Sequence, residues 1–191
     1  MASLNDLVAD LISEDENRAE AAACELAGYG ETALPTLKIL LNSSIVDQRW
    51  WAVRTLAQMR QPPLNWLIDA LGDPSCEVRE AAALALTAHP SENAVPGLVH
   101  ALGDSEGMLG ALAMNALTEI GKPAIPALLE AYQNAPTRAQ IQIIRTLAEI
   151  RDHRAISLML KATEEDSAVV NYWAKEGLER LGLNMVYIKP E

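Results

Sequence analysis

The stretch CEVREAAALALTAHPSENAVPGLVHALGD, residues 76–104, decides the fold. Ala82 and Leu86 stand on one helical face, Pro90 interrupts the segment, and a second apolar segment around Leu98 ends at Gly103 and Asp104. The arrangement recurs along the chain. Leu26, Leu56, Leu86, Leu117, Leu147 and Leu178 are spaced by 30, 30, 31, 30 and 31 residues. One helical turn before each lies Ala22, Ala52, Ala82, Ala113, Ile143 or Ala174. A second series, Leu7, Leu37, Leu67, Leu98, Leu128 and Leu158, repeats at 30, 30, 31, 30 and 30, out of step with the first. Two registers with one period mean two helices per repeat. One such pair cannot bury its apolar stripe alone, so neighbours must stack.

Breakers such as Gly28, Gly30, Pro62, Pro63, Pro90, Gly121 and Pro123 fall between the series. Short rods rising ~1.5 Å per residue and joined by tight turns must lie antiparallel. First-type helices are predicted over about 16–28, 46–59, 75–88, 106–120, 137–150 and 167–181. Second-type helices are predicted over about 3–12, 32–42, 63–72, 92–103, 123–133 and 153–164. Asp73 with Ser75, Asp104 with Ser105, Thr137, and Asp166 with Ser167 offer capping side chains at first-type starts, and Thr137 with Gln140 has the spacing of a capping box. The fold class is therefore all-α, a right-handed α-α superhelix of about six helix pairs. It is expected to run as a single solenoid over residues 1–182, with the apolar tail 183–191 folding back as a C-terminal cap over Leu178.

Composition agrees. The chain has 191 residues, half of them hydrophobic, with Ala and Leu dominant, no Phe and only 4% aromatics, which favours helix over sheet. A net charge of −11, from 15 basic against 26 acidic residues, gives no electrostatic footprint for nucleic acid or anionic lipid, so neither is expected as a partner. The start, MASLNDLVADLISEDENR, has neither a basic n-region nor a continuous apolar core, and the expectation is a soluble, cytoplasmic protein. Cys24 and Cys76 fall at different phases of the repeat and are too few for a disulfide framework, and both are read as reduced packing residues.

The pattern Glu77-Val78-Arg79-x-x-Ala82-x-x-x-Leu86, followed by Ala94-Val95-Pro96-x-Leu98-x-x-Ala101-Leu102-Gly103-Asp104, resembles the short HEAT-like repeat first recognised in phycobilisome lyases. Arg49-Trp50-Trp51-Ala52 and Ala124-Ile125-Pro126-Ala127-Leu128 match in part, and the resemblance covers residues 3 to 182. It implies a scaffold used by chromophore lyases, by deoxyhypusine hydroxylases and by adaptors. Arg79 recurs as Arg49, but Ala19, Gly110, Gln140 and Asn171 stand at the other equivalent positions, so a ladder of ion pairs between repeats is incomplete.

The enzyme readings that the resemblance opens are tested by their ligands. Deoxyhypusine hydroxylases hold di-iron with His-Glu dipeptides, whereas His89, His100 and His153 are followed by Pro90, Ala101 and Arg154. No HExxH or CxxC spacing offers zinc ligands, and no G-x-S-x-G motif or Gly-rich phosphate loop is present. No catalytic residue, metal or cofactor is therefore expected. A bilin lyase subunit, or a phycobilisome-associated assembly or degradation factor, is the reading the resemblance keeps open.

Solenoids of this class use the second-type helices to line the concave face. Two positions beyond the leucine series, ~200° away at 100° per residue, stand Ile39, Asp69, His100, Glu130 and Leu160; one position before it stand Thr36, Trp66, Gly97, Ala127 and Ser157. Thr36, Ile39, Trp66, Asp69, His100 and Glu130 are the candidate concave groove, and packing of neighbouring helices ~8–10 Å apart would let Asp69, His100 and Glu130 approach one another. A second, convex patch is expected at Trp50, Ile141 and Tyr172, which share an outward phase on the first-type helices, with Trp51 packed beneath. The function expected from these residues is a non-catalytic scaffold whose concave face binds another protein. The partner implied by the resemblance is a phycobiliprotein or a second HEAT-like subunit.

Overall fold

The described residues, 3–105 and 107–183 of the computed structural model, form twelve α-helices joined by turns, with no strand. The chain divides into two units, Met1–His89 and Pro90–Glu191. In the first, the second-type helices are α1 (Leu4–Leu11), α3 (Leu34–Leu41) and α5 (Leu64–Ala70), and the first-type helices are α2 (Glu16–Gly28), α4 (Val46–Gln58) and α6 (Cys76–Ala88). In the second, α7 (Val95–Ala101), α9 (Ile125–Tyr132) and α11 (Ile156–Ala162) alternate with α8 (Leu109–Ile120), α10 (Thr137–Ile150) and α12 (Ala168–Arg180). Within each unit the first-type helices pack in chain order, α2 on α4 on α6 and α8 on α10 on α12, and each second-type helix lies against the first-type helix that follows it.

The leucine series explains this packing. All six first-series leucines are buried, as are Ala22, Ala52, Ala82, Ala113, Ile143 and Ala174. Small residues one turn before the leucine, in all copies but Ile143, let the helices approach closely, and each leucine removed from water contributes about 1.5–3 kcal/mol. The second-type helices are shorter than expected at their N-termini because a 3₁₀ turn precedes most of them. Ala33, Ala94, Ala124 and Ala155, in those turns, are fully buried. Pro35, Pro96 and Pro126 follow at the first helical turn, where a backbone N–H has no helical partner to lose.

The sixth repeat departs from the expected register. Met159 is fully buried while Leu158 is only half-buried, so the thioether occupies the core position expected of the leucine. The buried Ala155 fixes this frame, since Ala124 and Leu128 hold the same relation in the repeat before. The outward positions shift with it: Lys161 and Leu158 take the places expected for Leu160 and Ser157.

Three caps also differ. Helix α6 begins on Ser75 with no side-chain cap: the Ser75 hydroxyl donates to the Glu77 carboxylate, and Asp73 accepts the Ser75 backbone N–H instead. Helix α10 begins on Pro136 with no side-chain cap, because the Gln140 amide donates instead to the Tyr132 carbonyl at 3.4 Å. Helix α8 begins at Leu109 with no side-chain cap: Gly107, at φ 50°, lies outside the right-handed helical region, so the turn runs past Asp104 and Ser105. Ser167 does cap α12 through the Val170 N–H, at 3.4 Å.

The position occupied by Arg49 and Arg79 acquires a common role. Arg49 Nη1 donates to the Ser43 carbonyl and Arg79 Nη1 to the Asp73 carbonyl, both at 3.0 Å, and Gln140 and Asn171 donate to Tyr132 and Thr163 in the same way. At Gly110 a Cβ would stand 3.3 Å from the Leu102 carbonyl. In these five repeats, Ala19 standing apart, the register therefore meets a carbonyl at or just past the end of the preceding second-type helix, by a donor side chain or by close backbone approach. Cys24 and Cys76 form no disulfide among the described residues, but Cys24 is exposed rather than packed, since it lies ~200° around α2 from Leu26. No helix among the described residues is long and apolar enough to cross a membrane. The capping tail proposed for residues 183–191 lies outside the described residues except for Leu183, which is exposed.

Candidate interaction surface

In the first unit, the outward faces of α3 and α5 carry Thr36, half-buried, Ile39, 72% exposed, Trp66, half-buried, and Asp69, exposed. Trp66 and Asp69 meet in a small cavity of about 160 Å³ that also includes Lys38, Asn42 and Asp73. The Lys38 ammonium sits 4.6 Å from the Trp66 ring centroid, so a lysine of the chain itself already caps one indole face. Reading only the positions two after and one before each leucine passes over Lys38, which directly follows Leu37. Its four-carbon stem nevertheless reaches sideways to the next helix.

In the second unit, His100 on α7 and Glu130 on α9 are both exposed. His100 borders a cavity of about 400 Å³ walled mainly by small and apolar residues, among them Val99, Ala131, Ala139 and Ile143, and Glu130 does not line it. Among the described residues no group of three or more His, Cys, Asp or Glu side chains is placed to hold a metal ion.

The first-type helices divide the other candidate patch between the units. Trp50 is half-buried on α4, Ile141 is half-buried on α10 and Tyr172 is 59% exposed on α12. Trp51, expected to pack, is half-buried as well; its ring meets that of Trp50 edge to face at 4.8 Å and 85°. Tyr172 and Trp173 form a similar pair, at 5.3 Å and 81°, with the Arg145 guanidinium 4.7 Å from the Trp173 ring. The buried neighbours Ala52 and Val53 explain why neither indole of α4 reaches the core: small and β-branched residues already fill that face.

The helical pairs, buried leucine rows and tight turns define an all-α solenoid of the HEAT and armadillo class. The family described as HEAT repeats matches residues 64–141. A phycocyanin operon protein Z of Pseudanabaena tenuis, itself uncharacterised, is 30% identical over 154 residues, which span 75% of this chain and 76% of that protein. The phycocyanobilin lyase subunit beta of a Nostoc species is 35% identical over 89 residues, 46% of this chain and 44% of the subunit, so the matched stretch spans less than half of the lyase subunit. The structure of the complex of CpcE and CpcF of the Nostoc phycocyanin lyase superposes with a TM-score of 0.55 at 22% identity, covering 95% of this chain and 78% of that one. The chain belongs to the family of phycobilisome lyase HEAT-like repeat proteins.

Proposed function

We propose that this chain is an accessory subunit of the phycobilisome lyase type, acting in the cytoplasm on a phycobiliprotein or in a pair with a second HEAT-like subunit. The observation that carries the reading is the 30% identity to a phycocyanin operon protein over three quarters of the chain, supported by the lyase subunit beta among the relatives. These relatives favour that role over a general scaffold. Protein binding remains its means: a stacked helical frame presents side chains at fixed spacing.

The contact surface of this reading is the outward row of the second-type helices. In the first unit it comprises Thr36, Ile39, Trp66 and Asp69, and in the second His100 and Glu130. Ile39 and the half-buried Trp66 supply apolar area, while Asp69 and Glu130 supply charge at the rim. The test mixes the purified chain with an apo-phycocyanin α-subunit, phycocyanobilin and a second HEAT-like lyase subunit, and reads co-elution and pigment absorbance retained after denaturation. Stable co-elution with one of the two proteins is expected, weakened about tenfold in a Trp66→Ala, Glu130→Lys variant. Failure to associate with either protein, together with unchanged pigment attachment, would remove the reading.

A further inference from the structure

The outer surface of the first unit opens into a groove of about 740 Å³ between α2 and α4. One wall carries Trp50 and Trp51, and the other carries Glu16 and Glu20, with Glu14 and Asp47 also lining it. This face belongs to the first-type helices, apart from the outward row invoked above. Its chemistry is lopsided. Glu20 is answered by Arg54, whose Nε and Nη2 donate to the two carboxylate oxygens at 3.3 and 3.2 Å. Glu14, Glu16 and Asp47 are exposed and make no ion pair among the described residues. Two half-buried indoles thus border three uncompensated carboxylates.

We propose that this groove docks an arginine-bearing segment of a partner protein. A guanidinium offers a planar cation that stacks on an indole and a fork of donors that fits a carboxylate, so one side chain satisfies both walls. The chain shows the mode within itself: the Arg54 guanidinium lies 5.8 Å from the Trp50 ring centroid while it bridges to Glu20. Anionic ligands meet repulsion here, and a purely apolar ligand would leave the three carboxylates unanswered. The edge-to-face pair holds the Trp50 ring against Trp51, so little side-chain freedom remains to be lost on binding.

The proposal stands apart from the lyase reading. Its probe is a fluorescein-labelled peptide carrying three arginines, compared with the same peptide carrying glutamines, titrated at about 0.15 M salt. Saturable binding of the arginine peptide with quenching of tryptophan emission is expected, at least about tenfold tighter than for the glutamine peptide. Asp47→Lys, an exposed change that leaves the helical circular dichroism intact, should weaken binding by about tenfold or more. Glu92→Lys, the same charge change in the second unit, should leave it within about twofold. Equal losses in the two variants would reduce the effect to general charge and overturn the proposal. Equal binding of the glutamine peptide, or no saturable binding at all, would overturn it as well.

Discussion

Arg49 grips Asp73 through a two-pronged ion pair, Nε to Oδ2 at 2.7 Å and Nη2 to Oδ1 at 2.8 Å, joining α4 to the turn that leads into α6. Both side chains are about one-tenth exposed, at 11% and 10%. Asp73 also accepts the Ser75 backbone N–H at 2.8 Å, and Arg49 donates to the Ser43 carbonyl, so each partner is nearly saturated. Removing one charge strands the other in a poorly solvated place. Asp73→Asn is therefore expected to destabilise the protein by about 3 kcal/mol in urea unfolding. Arg49→Lys, which keeps the charge but loses the fork, should cost less. A loss under about 1 kcal/mol for Asp73→Asn would place this pair among ordinary surface bridges.

The same pair sets an acid response. Burial pushes the Asp73 carboxyl upward, but hydrogen bonds from Arg49 and Ser75, with the charges of Arg49 and Arg79, outweigh it and hold the group below the usual carboxylate range. A folded-state value below the unfolded value means that its stabilisation is complete above the unfolded pKa of about 3.9 and is lost as pH falls through the folded one. Asp152, held at about 2 chiefly by the Arg154 side chain, acts in the same direction. Wild-type stability should fall more steeply than that of Asp73→Asn between about pH 5 and pH 2, and parallel curves would contradict the assignment.

The repeat made most of the fold legible. Two leucine series of one period located every helix, because a stripe that must be buried has a fixed spacing whatever the other residues are. Ends were less legible, since a cap depends on which donor reaches which carbonyl: Gln140 turns to Tyr132 instead of closing a box with Thr137. The candidate surface was legible only as outward phase. Phase identifies Trp66 as outward, but not that Lys38 lies over its ring, because that contact joins residues of different helices. Nor does phase show the groove beside Trp50, whose acidic wall comes from α2 and the turn before it.

The sixth-repeat register yields a direct comparison. Met159 is fully buried and Leu158 half-buried. Met159→Ala should cost about 2–5 kcal/mol by the usual range for emptying a core site, whereas Leu158→Ala should cost clearly less. Thermal unfolding of the two variants side by side decides it. The reverse order would restore Leu158 to the core.

Gly177 on α12 faces that methionine. A Cβ built there would stand 2.8 Å from Met159 Cε, 2.9 Å from its Sδ and 3.1 Å from Ala148 Cβ. Helix propensity alone favours alanine by about 1 kcal/mol. Met159 can swing its tip aside, but Ala148 Cβ is fixed to the backbone of α10, so crowding should win and Gly177→Ala should be net destabilising by about 1 kcal/mol. In a Met159→Ala background the same change should cost less, a coupling that a double-mutant cycle reads directly.

Helices α8 and α10 end at equivalent positions with different residues, Gly121 and Arg151. Gly121, at φ 72° and ψ −131°, occupies a region open essentially to glycine alone, so Gly121→Ala should be destabilising by about 1–3 kcal/mol. Arg151 lies at φ 54° and ψ 47°, the left-handed helical region, where an L side chain costs roughly 1–2 kcal/mol. Its side chain is exposed and makes no hydrogen bond or ion pair among the described residues, so little is lost with it. Glycine removes the backbone cost but gains freedom in the unfolded chain, an opposing effect of about 0.5–1 kcal/mol. The balance favours Arg151→Gly by about 0.5–1 kcal/mol, measured as a higher urea midpoint at unchanged slope. A lower midpoint would show that Arg151 holds the α10 end by a contact worth more than its backbone cost.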